Sequence, residues 1–123
     1  MPDYLTGGCC CGGVRYRLEA PFRDVLGCHC SQCRKTSGHF VAMTSVPDTQ
    51  FTLESGETLT WYKSSESARR GFCARCGGNL FFKPVDESRI SVAAGTIDGD
   101  TGLRMTRHLY PEMHGDYYEL NES

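Results

Sequence analysis

Three groups of cysteines, Cys9-Cys10-Cys11, Cys28-His29-Cys30-Ser31-Gln32-Cys33 and Cys73-Ala74-Arg75-Cys76, constrain this chain more than any other feature. They account for all 8 cysteines among 123 residues, an enrichment that leaves two physical uses for the thiols, disulfides or metal. In a reducing compartment clustered thiols hold metal or do chemistry, and a disulfide framework would have to accommodate three consecutive cysteines. Spacing sorts them. Cys73 and Cys76 form a C-x-x-C pair followed by Gly77-Gly78, where glycine permits the tight turn that aims two sulfurs at one point. In an extended segment residues i and i+2 face one side, so Cys9 and Cys11 would converge while Cys10 points away. The two pairs supply the four thiolates of a closed tetrahedral zinc site. Closing a loop of about sixty residues costs roughly 4 kcal/mol, against about 10–16 kcal/mol for structural zinc binding. Cys10 is left as a spare thiol, a redox-sensitive group, an occasional substitute ligand or a small buried hydrophobe.

Cys28, Cys30 and Cys33 form a second cluster with three ligands and one open coordination position, the layout of a catalytic zinc. Three thiolates weaken the ion's power to ionise water, and a soft, sulfur-rich metal suits a thiol substrate. The alternative is that His29 or another group closes the site and makes it structural; in an extended segment His29 would point away from its neighbours. Seven thiolates and two zinc ions would make the loaded protein more acidic than the formal charge of -2, so cations should gather locally. Arg34, Lys35, Arg69, Arg70 and Arg75 stand beside the ligands, either stabilising sulfur or solvated. In a sharper reading Arg34 or Lys35 holds the carboxylate of an anionic thiol. His29 and His108 are the candidate proton-transfer groups, ahead of His39 and His114. Phe40, Trp61 and Tyr62 could wall a pocket or belong to the core.

The rest of the chain predicts a mainly β class with little helix. Val14, Tyr16 and Leu18 alternate with Arg15, Arg17 and Glu19 up to Pro21, the period-two pattern of a half-buried strand. Phe40 to Val46, Gln50 to Leu53, Thr58 to Lys63, Asn79 to Lys83 and Arg89 to Ala94 read as further strands, with Ser55-Gly56-Glu57 as a hairpin connection. A helical turn is expected within 111–120. Ile97 to Gly102 is a glycine-rich turn rather than a calcium loop, since the distal glutamate is missing. With no linker or repeat, 1–123 reads as a single zinc-binding domain of several small antiparallel sheets. No run approaches the roughly 18 apolar residues of a membrane span, and Met1 to Leu5 lacks the layout of a signal peptide, so a cytoplasmic location is expected. The slight negative charge argues against nucleic acid and anionic membranes as partners.

With these groups placed, the chain resembles the glutathione-dependent formaldehyde-activating enzyme family, which includes the centromere protein V domain. The resemblance is carried by Gly7-Gly8-Cys9-Cys10-Cys11-Gly12-Gly13-Val14-Arg15-Tyr16, by Cys28-His29-Cys30-Ser31-Gln32-Cys33-Arg34-Lys35, and by Arg70-Gly71-Phe72-Cys73-Ala74-Arg75-Cys76-Gly77-Gly78-Asn79-Leu80. It continues weakly through Ala94-Gly95-Thr96-Ile97-Asp98 and His108. It implies small sheets around a zinc-ribbon-like core, a structural zinc on Cys9, Cys11, Cys73 and Cys76, and a second zinc on Cys28, Cys30 and Cys33. The activity it implies joins formaldehyde to the sulfur of glutathione, formally the reverse of a carbon–sulfur lyase. The competing class is a non-enzymatic, zinc-stabilised protein-interaction module.

Overall fold

The computed structural model describes residues 2–120. Met1 and 121–123, part of the expected 1–123 unit, lie outside the described residues. Ten strands run β1 (Tyr4–Gly8), β2 (Val14–Glu19), β3 (Val25–Cys28), β4 (Val41–Pro47), β5 (Phe51–Gly56), β6 (Leu59–Ser65), β7 (Ala68–Cys73), β8 (Asn79–Pro84), β9 (Arg89–Ala93) and β10 (Met105–Leu109). One helix, α1 (Ser31–Ser37), follows β3. The mainly β class is what the structure shows. The strands gather into a three-stranded sheet, β1-β2-β5, and a seven-stranded sheet, β10-β3-β4-β9-β8-β7-β6. Pairing is antiparallel except between β10 and β3, which run parallel and set Leu109 opposite Cys28.

Alternation along β2 works as its sequence requires: Val14, Tyr16 and Leu18 are fully buried while the intervening Arg15, Arg17 and Glu19 reach solvent. These three side chains join Leu5 from the small sheet and Val46, Leu80, Phe81, Ile90 and Val92 from the large one in a common core. Phe81 is its centre, edge-on to Tyr16 and Phe51 and stacked on Trp61 at 5.8 Å. Trp61 thus serves the core, and Tyr62, 40% exposed, packs edge-on to Phe72; neither walls a cavity. β4 is buried on both faces, and its Thr44 and Ser45 are satisfied by Arg23 O and Arg89.

The hairpin expected around Ser55-Gly56-Glu57 is absent. β5 pairs with β2 and β6 pairs with β7, so this segment carries the chain from one sheet to the other. Local turn chemistry proposes a partner, but Phe51 gains more by packing against Tyr16 and Phe81 than β5 would gain alongside β6. Between Pro111 and Met113 the expected helical turn is a single 3-10 turn. Asp98, in the glycine-rich turn, pairs with Arg15 and accepts from the Thr6 hydroxyl, tying that turn to the small sheet.

Candidate functional site

Two cysteine clusters form, each with its sulfurs within 4.8 Å of one another: Cys9, Cys11, Cys73 and Cys76, and separately Cys28, Cys30 and Cys33. The first joins the tips of two hairpins, β1–β2 and the β7–β8 turn. Cys9 to Gly13 is not extended. Gly12 N–H donates to Cys9 O and Cys9 N–H to Val14 O, closing a tight turn with Gly12 at a φ of 81°. Cys9 and Cys11 converge because the chain curls, so the expected strand alternation is not the cause. For the same reason Cys10 is exposed at the turn tip instead of buried. The Cys73–Cys76 turn is its counterpart, with Gly77 N–H donating to Cys73 O and Gly77 at a φ of 78°. In both turns a backbone N–H also points at sulfur: Val14 N to Cys9 Sγ and Cys76 N to Cys73 Sγ, each at 3.3 Å.

The donor set fits a tetrahedral ion. Four sulfurs about 2.3 Å from one metal stand about 3.8 Å apart at tetrahedral angles, and Cys11 Sγ lies 3.6 Å from both Cys9 Sγ and Cys73 Sγ. These separations also exclude a disulfide between either pair. Protons are shared unevenly among the thiols. The Thr58 hydroxyl, 3.0 Å from Cys73 Sγ, draws the Cys73 thiol down to about 5, helped by the N–H groups of Cys76 and Arg75. Cys11 is pulled down by the Gly13 N–H, but burial and the neighbouring Cys73, Cys9 and Cys76 outweigh it and hold the thiol up at about 11. Burial pushes the Cys9 thiol up, but the Val14 N–H and Cys11 outweigh it and hold this thiol below its ordinary value too. A cluster with some thiols already acidic is ready to release its protons to a bound cation.

The second cluster sits where β3 hands over to α1. Cys28 is the last residue of β3, Cys30 caps α1 by accepting the Cys33 N–H on its Sγ at 3.3 Å, and Cys33 is the buried residue of the helix. At its other end Gly38 takes the left-handed conformation that stops α1. The hydrogen bond between the Cys33 and Cys28 thiols lowers Cys28 and raises Cys33, and burial opposes the first shift and reinforces the second. All three cysteines line a cavity of about 340 Å³, together with Arg70, Phe82 and Tyr110. No fourth Cys, His, Asp or Glu atom joins the cluster among the described residues.

Of the candidate cations, Arg70 is the one brought to this cluster. It is buried, and its Nη2 donates to Cys33 Sγ at 3.5 Å and to Gln32 Oε1 at 3.0 Å, with its guanidinium over the Phe82 ring. A buried guanidinium without an anion would be costly, and no carboxylate pairs with Arg70 among the described residues. With a metal bound at Cys28, Cys30 and Cys33, the Cys33 thiolate would supply that counter-charge. Arg70→Met should keep the volume but weaken metal binding at Cys28, Cys30 and Cys33 by roughly 10–100-fold, as loss of a supporting contact to a ligand does. Competition with a chromophoric chelator measures this, and unchanged affinity would make the contact incidental. Arg34 and Lys35 are exposed on α1 and do not line the cavity; Arg34 donates to Met113 O. Arg69 lies over Trp61, and Arg75 is exposed.

His29 is fully buried and turned away from the cavity, stacked on Phe40. Its Nε2 is 3.0 Å from His108 Nδ1 and its Nδ1 is 3.0 Å from the Tyr118 hydroxyl. Burial first, then His108, His114 and His39, push its pKa below the ordinary imidazole range. Thus the structure unites His29 with His108 but sets the pair behind the ligand loop. Sequence reasoning did not single out Gln32, which bridges Arg70 to Ser64 O, or Tyr110 at the cavity; neither belongs to a spacing pattern.

A three-stranded antiparallel sheet and a seven-stranded mixed one, carrying a four-sulfur cluster and a three-sulfur cluster open to a cavity, define a β protein whose cysteine groups could hold metal ions. The family model for glutathione-dependent formaldehyde-activating enzymes matches residues 4–114, and the chain belongs to that family. A Halomonas elongata protein provisionally named a glutathione-dependent formaldehyde-activating enzyme is 31% identical over 127 residues, covering 94% of this chain and 80% of the relative. A Schizosaccharomyces pombe protein named an uncharacterized lyase is 31% identical over 83 residues, 67% of this chain and 58% of that protein's length. The crystal structure of a Rhodobacter sphaeroides protein has the same fold, with a TM-score of 0.68 at 23% identity, covering 84% of this chain and 98% of that one. No helix is long and apolar enough to cross a membrane among the described residues.

Proposed function

We propose that this chain is a zinc enzyme of the carbon–sulfur lyase type, joining a small thiol, glutathione or a similar molecule, to a small aldehyde such as formaldehyde, reversibly. Cys28, Cys30 and Cys33 hold the catalytic zinc, and Cys9, Cys11, Cys73 and Cys76 a structural one. The observation that carries the reading is the three-thiol cluster opening on a cavity with no fourth ligand atom beside it. When bound, the ion would supply an open position that takes the substrate sulfur and lowers its pKa, so that the thiolate predominates at neutral pH. The chain's own residues shape the reaction around it. Arg70 offsets negative charge that three thiolates and an incoming fourth would accumulate. Phe82, Val41 and Met43 give the cavity an apolar wall that limits competing water. Buried His29, bonded to the half-buried His108, holds the ligand loop from behind, with the His29 backbone N–H donating to Leu109 O at 3.0 Å. A reducing, cytoplasmic setting would keep all seven ligand thiols available.

Metal analysis should find up to two zincs per chain. Zinc-edge spectroscopy with added glutathione should show the mean number of sulfurs per zinc rising as the thiol enters the open position. No change across a panel of small thiols would overturn thiol activation.

A further inference from the structure

We infer that Tyr110 is the proton donor of the three-cysteine site, its phenol hydroxyl protonating the aldehyde oxygen as the carbon–sulfur bond forms. The inference rests on the thiol-addition reading above. Its starting point is an oddity of the backbone. Tyr110 has φ 53° and ψ 49°, the only non-glycine residue at positive φ among the described residues. That conformation is uncommon for a bulky side chain, and the following Pro111 disfavours helical backbone at this position further. Glycine or asparagine would adopt it at less cost. Strain of this kind persists where the surrounding structure over-determines it, and it gathers at functional sites.

Here the surroundings do over-determine it. Leu109, the preceding residue, is paired with Cys28 and accepts the His29 N–H. On the other side Met113 N–H donates to Tyr110 O at 3.0 Å, Arg34 Nη1 donates to Met113 O, and His114 Nδ1 lies 2.8 Å from Pro111 O. The turn is thereby fastened both to the strand that ends in a cluster cysteine and to the helix that begins with the others. What this arrangement achieves is to set Tyr110 on the wall of the cavity that Cys28, Cys30 and Cys33 also line. The ring stays 54% exposed, and its hydroxyl has no hydrogen-bond partner among the described residues, which leaves it free for a substrate.

Chemistry narrows the choice as well. Addition of a thiolate to a carbonyl builds negative charge on oxygen, and that oxygen needs a proton. Besides the cysteines, the other polar side chains on the cavity wall are Glu87, Ser65, Ser91, the Gln32 amide, which is a very weak acid, and the guanidiniums of Arg23 and Arg70. A carboxylate accepts instead of donating, while serine hydroxyls and guanidinium give up protons poorly. A phenol carries its proton at neutral pH and is acidic enough to yield it to an alkoxide. In the step, the substrate's sulfur lone pair forms the bond to carbon and the C=O π pair moves to oxygen. The Tyr110 O–H bond breaks and its proton goes to that oxygen. The phenolate is reprotonated by the proton the thiol released on entering, passed through water at the exposed ring. The sum is thiol plus aldehyde giving the S-hydroxyalkyl adduct, with no change in oxidation state of the protein.

The test compares Tyr110→Phe, which keeps the ring and loses the hydroxyl, with Tyr110→Gly, which relieves the backbone. Exchange NMR of formaldehyde with glutathione reads the catalysed rate above the uncatalysed background, and thermal unfolding and zinc content are measured in parallel. Tyr110→Phe should slow the catalysed rate by roughly 10²-fold or more, within the range general acids contribute, with zinc content and Tm unchanged. Tyr110→Gly should be equally slow, yet melt several degrees higher. An active wild type with an equally active Tyr110→Phe variant overturns the inference, and a lower Tm for Tyr110→Gly removes the strain argument that led to it. A wild type that catalyses no exchange with any thiol overturns the function itself, and Tyr110's role with it.

Discussion

Removing the metal from the four-cysteine cluster with a strong chelator, or replacing Cys73 by Ala, should abolish the cooperative unfolding transition. The cluster sits between the tip of the β1–β2 hairpin, in the small sheet, and the turn that joins β7 to β8, in the large one. Cys73 is fully buried and Cys9 nearly so, and both belong to the core that the two sheets share. An ion there would act as a staple across that core, and zinc binding of about 10–16 kcal/mol rivals the entire stability of a small domain, about 5–15 kcal/mol. Without it the thiols of Cys9, Cys11 and Cys76 face one another with no common partner. Circular dichroism during heating, before and after chelation, reads the result. A metal-free chain that still melts cooperatively at an unchanged temperature would show that the sheets hold together unaided and that the cluster is not structural.

Cys30→Ser should do the opposite: lose the second metal and the catalysed reaction, and leave the fold. The reason lies in the double duty of Cys30. Its sulfur is a cluster member, and it also caps α1 by accepting the Cys33 N–H. Serine is among the best helix-capping residues, so α1 keeps its start. A neutral hydroxyl is a poor ligand for a soft, thiolate-preferring ion, so the site does not keep its metal. Zinc per chain should fall by one, the catalysed exchange should drop to background, and Tm should move little. Cys30→Ala should lose the metal equally and pay about 1 kcal/mol more through the missing cap. If Cys30→Ser unfolds the chain as chelation of the first cluster does, the second site is structural and the enzyme reading fails.

Sequence patterning located β2, β4, β5, β6, β8 and β9. Of these, β2, β4, β8 and β9 carry apolar residues on core-facing positions, and β5 and β6 were marked by their β-branched and aromatic residues on either side of a turn. Those it passed over lack such a signature. β1 carries Gly7 and Gly8 among its five residues, and β3 is only four residues long. β7 contains Arg70, which is buried against sulfur, so a charged residue occupies an inward position and breaks the pattern. The helix α1 was equally invisible, since seven residues of Ser, Gln, Cys, Arg, Lys and Thr cannot hold a helix alone; its Cys30 cap and Gly38 stop hold it in place.

Cysteine spacing on its own grouped the thiols into local sets, since C-x-x-C and C-x-C place sulfurs a few residues apart, while the joining of Cys9 and Cys11 to Cys73 and Cys76 came from the packing of the two hairpin tips. It also determined the β class, through period-two burial. Tertiary structure decided everything that depends on approach across the chain. It chose β2 over β6 as the partner of β5, since a core aromatic outweighs a local turn. Among several arginines near the ligands it placed Arg70, alone among the candidate cations, against Cys33, and it turned His29 to the back of the loop. It set Tyr110 on the cavity in a strained backbone. Spacing along a chain controls distances over a few residues, whereas side-chain direction and burial are set only when remote segments compete for the same space.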